Sequence, residues 1–435
     1  MKIRIAAAAP DTRPGDVQGN KAAILSLIER TRTEKALLLC LPDGCITGLS
    51  GGRESPEVWA LAEAAAAEIR QSAGPMPVYP ITCAALTAQE LPKAKREDLL
   101  LCAADLPATG ASQFGVPELA ARVSHDKRCV VAIACPLGGE AGDFVYDGRC
   151  AIAQNGFILA EGTECVTAEV ESGLRGVKKP VAATCKTSDL PKKPWVPFPE
   201  ILERAMELQS RALSRRMENL GEKHITMLVD GSQDSLLALA ASVKALDSLS
   251  LPHANLHVVV NGEIARIAAE ELGASTNDCA GGLAIGTDNL TRLALGYCEQ
   301  SAAYDCNAGM PETVVRLALR SYAAVCGNRL LGAAIREALE MQNNPDVELY
   351  DFFLYYLLRY GFEPKILLRL TGEVFADQYE PTVVKASLME FLRRFFTERT
   401  VPPEGPAVFG LSLRVRGRTP SNEVGKRWIE QLEEI

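Results

Sequence analysis

A polar stretch punctuated by prolines divides this chain into two parts. Residues 167–199 include the run GVKKPVAATCKTSDLPKKPWVPFP, which favours neither a long helix nor a buried strand. The parts on either side each show α/β patterning, and 435 residues are about three times the usual length of one domain. We therefore predict a domain over 1–165, a linker over 166–195 and a second domain over 196–435.

The first part alternates strand-like and helical segments. Helices are predicted over about 20–32 and after Ser55-Pro56, where a serine cap precedes a proline in the first turn. Asn155-Gly156 predicts a β-hairpin, because both residues tolerate the positive φ of a type I′ turn. Strands are predicted in the runs KIRIAAAA, KALLLCLP, DLLLCA (98–103), CVVAIAC (129–135), FVYDG (144–148), RCAIAQ (149–154) and FILAEG.

The second part opens with an amphipathic helix over about 200–220 and then a strand–loop–helix–strand unit. The strand HITMLVD is followed by the loop GSQDS, the helix LLALAASVKAL and the strand NLHVVV. This order predicts a parallel βαβ unit. Helical segments dominate the rest of the chain.

The segment YDFFLYYLLRYGF (350–362) allows two interpretations. Its aromatic rings could stack on bases or on a ring-shaped cofactor, or they could pack in a core or a subunit interface. No basic groove accompanies them and their spacing is helical. We therefore expect a core or an interface.

Charge and cysteine pattern exclude several classes of function. The 46 Lys and Arg against 55 Asp and Glu give a net charge of −9, and no long basic run is present, so we expect no nucleic-acid partner. No stretch approaches the roughly 18 to 20 apolar residues of a membrane span, so we expect a cytoplasmic protein without a membrane partner. The thirteen cysteines lie singly, without C-x-x-C, which predicts packed thiols and no metal site.

Several longer motifs together resemble one family, the bacterial glutamine-dependent NAD⁺ synthetases. The matching segments in the second part are GTDNLTRLALGY (286–297), YDCNAGMPET (304–313), DVELYDFFLYYLLRYGF (346–362) and the tail over 393–421. In the first part they are LPDGCITG (41–48) and GEAGDFVYDGRCAIAQNG (139–156).

The resemblance implies a shortened α/β protein with two domains. The first would be a nitrilase-like α/β sandwich, in which a glutaminase releases ammonia. The second would have a Rossmann-type parallel sheet related to the adenine-nucleotide α-hydrolases, in which ATP activates deamido-NAD⁺ for amidation. The cofactors that the family would need are ATP and Mg²⁺.

The first implied site departs from the family pattern. Nitrilase-type chemistry needs a Cys nucleophile, a Glu for proton transfer and a Lys for the oxyanion. Asp43 stands at the Glu position, one methylene shorter, and a misplacement of about 1 Å can cost about 10²-fold in rate. The region that would supply the Lys and Cys is deleted within 77–106, and neither Cys83 nor Cys102 is followed by the acidic dipeptide that the family places after its nucleophile. We expect no glutaminase activity.

The second implied site has lost its phosphate-binding character. The family's loop reads S-G-G-x-D-S, whereas this chain has Asp230, Gly231, Ser232, Gln233, Asp234 and Ser235. Asp230 puts an anion where pyrophosphate would lie, and Ser232 adds a Cβ where the backbone would approach the ligand.

Other positions of this site also change charge. Arg292 stands in N-L-T-R where the family has a carboxylate that helps to hold Mg²⁺, and Glu312 stands where the family has a lysine. Thr287, Asp288 and Asn307 belong to the same altered segments. We predict that Arg292 pairs with Glu312 or Asp234 in the space that Mg²⁺ and phosphate would take.

The sequence therefore predicts a catalytically degenerate relative of the synthetases that acts as a structural or regulatory subunit and needs no cofactor. Its expected partners are further copies of itself or an active NAD⁺ synthetase. Two alternatives stay open. One is an ammonia-dependent NAD⁺ synthase that uses ATP, Mg²⁺ and deamido-NAD⁺, and the other is a sensor that binds a nucleotide without turnover.

Overall fold

The chain forms two compact units, one ending before Leu190 and the other running from Leu190 to the C-terminus. The computed structural model describes residues 2–48, 56–76, 78–79, 99–103, 115–138, 145–171, 193, 195, 199–277, 281–297, 302–342, 346–398, 402–409, 411–414 and 421–433.

The first unit mixes short strands with three described helices. Its strands are β1 (Lys2–Ala8), β2 (Asp11–Thr12), β3 (Leu39–Cys40), β4 (Val78–Tyr79), β5 (Leu99–Ala103), β6 (Val130–Ala134), β7 (Leu137–Gly138), β8 (Arg149–Gln154), β9 (Phe157–Thr163) and β10 (Cys165–Glu171). Its helices are α1 (Val17–Thr33), α2 (Pro56–Ala73) and α3 (Val116–Lys127).

Two mixed sheets pack face to face in the first unit. The described strands are ordered β10-β1-β3-β4 in one sheet and β5-β6-β8-β9 in the other. Alternate side chains of β1, including Ile5 and Ala7, face the β6 and β8 residues Val130 and Ile152 in one core. The opposite face of β1 packs on α1 and α2, and the opposite face of β6 packs on α3. The result is a layered α/β sandwich, as the resemblance implies.

The hairpin predicted at Asn155-Gly156 is confirmed. β8 and β9 pair antiparallel, and Asn155 and Gly156 have φ values of 54° and 89°. By contrast, the strand predicted over 144–148 is wrong, because within the described 145–148 only Asp147 makes a bridge, to Leu137. Asp147 accepts from Arg149 Nε at 2.9 Å, and this buried stretch leads into β8.

The linker predicted over 166–195 begins in a strand. β10 pairs along its full length with β1, from Lys2↔Glu171 to Ala8↔Cys165. Val166, Ala168 and Val170 alternate with polar residues and are buried, which is the pattern of a strand with one face in a core. Most of the remaining predicted linker lies outside the described residues.

The second unit is mainly helical around a small sheet. Its strands are β11 (Ile225–Val229), β12 (Leu256–Val260) and β13 (Leu283–Ala284). Its helices are α4 (Pro199–Leu220), α5 (Gln233–Ser248), α6 (Glu263–Glu271), α7 (Leu290–Leu295), α8 (Glu312–Val325), α9 (Arg329–Met341), α10 (Val347–Tyr360), α11 (Pro364–Val374), α12 (Pro381–Thr397) and α13 (Asn422–Glu433).

The predicted βαβ unit is confirmed. Among the described strands the sheet order is β12-β11-β13, and both neighbours run parallel to β11. β12, the next strand in sequence, pairs with one side of β11, and β13 pairs with the other side. β11 therefore marks the point where the strand order reverses. In open α/β sheets, ligand sites form at the carboxyl ends of the strands at such a point.

The aromatic helix α10 belongs to the core of the second unit. Phe352 and Phe353 are fully buried, and Tyr356 has 1% of its surface exposed. Phe352 packs 4.6 Å from Tyr356 and 5.3 Å from Phe375, measured between ring centroids.

Among the described residues, no helix combines the length and apolar character needed to cross a bilayer.

Candidate functional site

The candidate site lies where β11 and β13 end. Asp230, Gly231 and Ser232 connect β11 to α5, and Thr287 and Asp288 lie between β13 and α7. Because parallel strands end at the same edge of a sheet, the two connections meet there. The structure thus brings the predicted loop and the altered positions together, whereas Asp43 lies buried in the first unit, in the turn after β3.

Acceptors within the loop after β11 bind two of its N–H groups and one of its hydroxyls. The Ser232 N–H donates to Asp230 Oδ1 at 2.9 Å, and the Ser235 hydroxyl donates to the same oxygen at 2.7 Å. The Ser235 N–H donates to Ser232 Oγ, the N-cap of α5. Burial would raise the pKa of Asp230, but the hydrogen bonds from Ser232 and Ser235 outweigh it and lower that pKa. Asp230 is therefore an anion.

Gln342 takes up another donor at the start of α5. The Gln233 N–H donates to Gln342 Oε1 at 3.0 Å, and Gln233 Nε2 donates to the Gln342 carbonyl at 2.9 Å. A phosphate at a helix N-terminus is normally held by such free N–H groups. Here the N–H groups of Ser232, Gln233 and Ser235 each have a protein acceptor.

Gly231 supplies the backbone shape of this loop. Its φ of +79° lies in the region that favours glycine, and an added Cβ would stand 3.3 Å from Ile264 Cβ. The strand–loop–helix geometry predicted from the sequence is therefore present, but the N–H groups of Ser232, Gln233 and Ser235 are bonded to protein acceptors.

Arg292 lies among the carboxylates of the site. Its Nε donates to Asp288 Oδ1 at 3.0 Å and lies 3.9 Å from Asp234 Oδ2. The predicted pairing with Asp234 is confirmed, and Asp288 is an additional partner. Burial alone would lower the pKa of Arg292, but the nearby Asp234 and Asp288 raise this pKa by more than burial lowers it. The guanidinium therefore stays charged.

Asn289 organises the same cluster. Its Nδ2 donates to both oxygens of Asp234, at 2.9 and 3.0 Å, while its Oδ1 accepts from the Arg292 N–H as the N-cap of α7. Burial raises the pKa of Asp234 to about 7, against the hydrogen bond from Asn289 and the charge of Arg292. Burial likewise raises the pKa of Glu312.

Asn307 ties the two connections together. Its Nδ2 donates to the carbonyl of Asp234 at 2.9 Å and to that of Thr287 at 2.7 Å. Gln209 of α4 donates to Asn307 Oδ1 and to the carbonyl of Cys306. Asn307 is fully buried, so these bonds fix the shape of the site from beneath.

Two further buried acidic residues, Asp305 and Asp351, escaped the sequence-based prediction. Asp305 is 1% exposed, and neither of its carboxylate oxygens has a hydrogen-bond partner among the described residues. Burial, with Asp288 and Asp234 nearby, raises its pKa to about 8. Asp351 of α10 accepts from the hydroxyl of Thr291 and, at 2.6 Å, from the N–H of Thr313. A single acidic residue within the aromatic segment was the available signal for Asp351.

The arrangement does not fit the Mg²⁺ that the resemblance implies. Magnesium prefers near-octahedral oxygen ligands. Both oxygens of Asp234 accept from Asn289, and an Asp288 oxygen accepts from Arg292, whose positive charge lies among them. Within the described ranges, no group of three His, Cys, Asp or Glu side chains is placed to hold a metal ion.

Sequence comparison relates the chain to one group of enzymes. It is 26% identical over 201 residues to a glutamine-dependent NAD(+) synthetase of Mycobacterium bovis, covering 35% of this chain and 30% of that protein. It is 22% identical to the M. leprae protein of the same name, covering 71% of this chain and 67% of that protein. The chain thus spans about a third of the first relative's length. No protein-family model matches the sequence.

Solved structures show the same fold. A glutamine-dependent NAD(+) synthetase from Cytophaga hutchinsonii superposes with a TM-score of 0.70 at 15% identity, covering all of both chains. One from Acinetobacter baumannii, in complex with ADP, gives 0.57 at 14% identity, covering 95% of this chain and all of the other. The predicted α/β fold class and the predicted family relationship are confirmed.

Proposed function

Since this chain is a homologue of the glutamine-dependent NAD⁺ synthetases, we propose that it is a catalytically degenerate relative that acts as a structural or regulatory subunit. The observation that carries this proposal is the bonding of the Ser232, Gln233 and Ser235 N–H groups to protein acceptors. Asp230 accepts from Ser232 and Ser235, and Gln342 accepts from Gln233, so the phosphates of ATP would have to displace two protein acceptors.

The charge of the cluster supports the same proposal. The guanidinium of Arg292 lies 3.0 Å from Asp288 and 3.9 Å from Asp234, where a divalent ion would need these carboxylates free. Displacing Arg292 would leave Asp288 and Asp234 close together without their cation. Removing one partner of a fully buried ion pair costs about 3 to 5 kcal/mol, and the cost here is smaller because 34% of the Arg292 side chain is exposed. Binding of MgATP would have to displace Arg292 in addition to opening the loop.

We further propose that the protein works in an assembly, either with copies of itself or with a competent NAD⁺ synthetase, in the cytoplasm. The thirteen cysteines of the sequence lie singly, without a C-x-x-C pair, which suits a reducing compartment. Purification of the tagged full chain from its native host tests the assembly. A chain that comes through alone and does not self-associate would contradict this part.

The loss of catalysis is tested by turnover. The purified full chain is incubated with ATP, Mg²⁺, deamido-NAD⁺ and either ammonium or glutamine, and AMP and NAD⁺ are measured. The Cytophaga hutchinsonii enzyme, assayed in parallel, is the matched positive control. We expect no AMP above the level without protein, and formation of AMP and NAD⁺ in equal amounts would show an active synthase instead.

A further inference from the structure

Two histidines lie side by side at the amino ends of β11 and β12. His224 directly precedes β11, and His257 is the second residue of β12, which runs parallel to β11. His224 Nδ1 lies 3.0 Å from His257 Nε2, and the centroids of the two rings are 5.2 Å apart. The candidate site lies where β11 ends, so this histidine pair occupies the opposite edge of the same sheet.

The backbone of the sheet fixes the position of each histidine. The N–H of Leu283 in β13 donates to the His224 carbonyl at 2.9 Å. Gly282 approaches His224 so closely that an added Cβ would stand 3.0 Å from that carbonyl oxygen and 3.1 Å from His224 Cβ. On the other strand, the residues on either side of His257 both form backbone hydrogen bonds with Ser275. Side chains carried by paired strands keep a fixed separation, which a preorganised binding site requires.

A backbone carbonyl fixes the tautomer of His257. His257 Nδ1 lies 3.1 Å from the carbonyl oxygen of Asn277, which can only accept a hydrogen bond. His257 Nδ1 therefore carries the ring proton, and His257 Nε2 presents a lone pair to His224. A histidine that binds a metal almost always donates its other ring N–H to an oxygen of this kind, which orients the ring.

We propose that His224 and His257 bind a divalent transition-metal ion of the zinc type, through His224 Nδ1 and His257 Nε2. Tetrahedral zinc with Zn–N bonds of about 2.0 to 2.1 Å holds two imidazole nitrogens about 3.3 to 3.4 Å apart and the ring centroids about 5.2 Å apart. Here the nitrogens are 3.0 Å apart and the centroids 5.2 Å apart. A small rotation of the two rings, with the strands unmoved, therefore admits the ion.

The ion takes the place of the proton between the two rings. Without the ion, His224 Nδ1 donates that proton to His257 Nε2, because His257 Nε2 is an acceptor. When the ion binds, His224 carries its proton on Nε2 instead, transferred through solvent, so both rings stay neutral and each gives one lone pair. Both side chains are partly exposed, so the ion can enter and water can supply the two remaining ligands. Imidazole suits zinc, whereas Mg²⁺ prefers oxygen ligands.

Equilibrium dialysis of the full chain against Zn²⁺ tests the proposal. His224→Gln and His257→Gln should each raise the dissociation constant of one zinc ion at least tenfold, because each variant leaves a single imidazole. His253→Gln is the matched control and should leave zinc binding unchanged, since both ring nitrogens of His253 already lie within 3.0 Å of oxygen acceptors. The cysteine thiols are the same in all four proteins, so the difference between the proteins reports the histidine pair. An excess of Mg²⁺ should not compete.

Two further measurements do not depend on the folding of a variant alone. Co²⁺ added to the unaltered chain should give the intense visible absorption of tetrahedral coordination, and Zn²⁺ should remove it. Zn²⁺ should also raise the urea midpoint of the unaltered chain and of His253→Gln, but not that of His224→Gln. The reason is that the two ligands lie 33 positions apart in sequence and come together only in the native state, so the ion stabilises that state.

Two outcomes would overturn the proposal. The first is that His224→Gln binds as much Zn²⁺ as the unaltered chain, with the same dissociation constant. The second is that Co²⁺ gives no tetrahedral spectrum with the unaltered chain. Either result would leave a hydrogen-bonded histidine pair only. The inference does not rest on the proposed loss of catalysis, because the pair lies at the other edge of the sheet and its test needs no turnover.

Discussion

Replacement of Asp305 by Asn should remove much of the pH dependence of the second unit's stability. Asp305 is buried beside Gly286, and its pKa is raised from 3.8 to about 8 by burial and by the nearby Asp288 and Asp234. The native state therefore holds a proton that the unfolded chain loses above about pH 4. Stability from this group is complete below pH 4 and is lost as the pH rises toward 8.

The magnitude follows from one proton. Between pH 5 and 7 the native state binds one more proton at Asp305 than the unfolded state does, which lowers the free energy of unfolding by about 1.4 kcal/mol per pH unit. Over these two pH units the group contributes a loss of about 3 kcal/mol as an upper bound. Asp305→Asn is neutral throughout, so its stability curve should be flatter by up to that amount.

Urea unfolding at pH 5, 6 and 7 measures this difference. Trp59→Phe is used as the background, so that fluorescence comes from Trp195 and Trp428, both in the second unit. Asp377→Asn, at an exposed carboxyl, is the matched control and should keep the original slope. Equal slopes for Asp305→Asn and the background would show that Asp305 is ionised in the native state and would refute the reasoning.

Four further substitutions test the packing and charge of the second unit by urea unfolding. Arg292→Gln leaves Asp288 and Asp234 without their cation and should lower the free energy of unfolding by about 1 to 3 kcal/mol, less than for a fully buried pair because 34% of the side chain is exposed. Gly286→Ala places a Cβ against the Asp305 carboxyl and should lower the free energy of unfolding by about 1 to 3 kcal/mol. Gly372→Ala lies in α11 with open space around it and should raise the free energy of unfolding by about 0.5 to 1 kcal/mol. Phe352→Ala removes a fully buried ring and should cost about 3 to 5 kcal/mol.

The same measurements can contradict these expectations. An unchanged midpoint for Arg292→Gln would mean that the ion pairs contribute nothing to stability. Equal effects of Gly286→Ala and Gly372→Ala would mean that the close approach of Asp305 to Gly286 is not needed for folding. A loss below about 1 kcal/mol for Phe352→Ala would show that α10 is loosely packed.

Elements with a strong local pattern were predictable from the sequence. The segment HITMLVD forms β11, in which buried and partly buried residues alternate. The Asn155-Gly156 turn forms because both residues adopt positive φ. The helix after β11 begins at Gln233, inside the predicted loop, since Ser232 caps it there. The predicted start of the linker at residue 166 was wrong. The polar residues that alternate along β10 resemble a connecting segment until its pairing with β1 is known.

The candidate site was predictable only in part. The reversed charge at Arg292 indicated an ion pair with a nearby carboxylate, and the structure places Asp234 within reach. The role of Gln342 depends on a contact between residues 109 positions apart, which no local pattern encodes. The buried state of Asp305 depends on the approach of Gly286 across a bridge between two distant segments. Contacts of this kind need the fold before they can be recognised.

Calorimetric titration of the full chain with MgATP tests the central claim most directly, because it measures whether the loop after β11 binds a triphosphate. With its donors bound to Asp230 and Gln342, the protein should give no heat above dilution, while the Cytophaga hutchinsonii enzyme under the same conditions should titrate. Asp230→Ser frees the Ser232 N–H and is the variant in which weak binding should first appear. A saturable heat with the original chain would contradict the account.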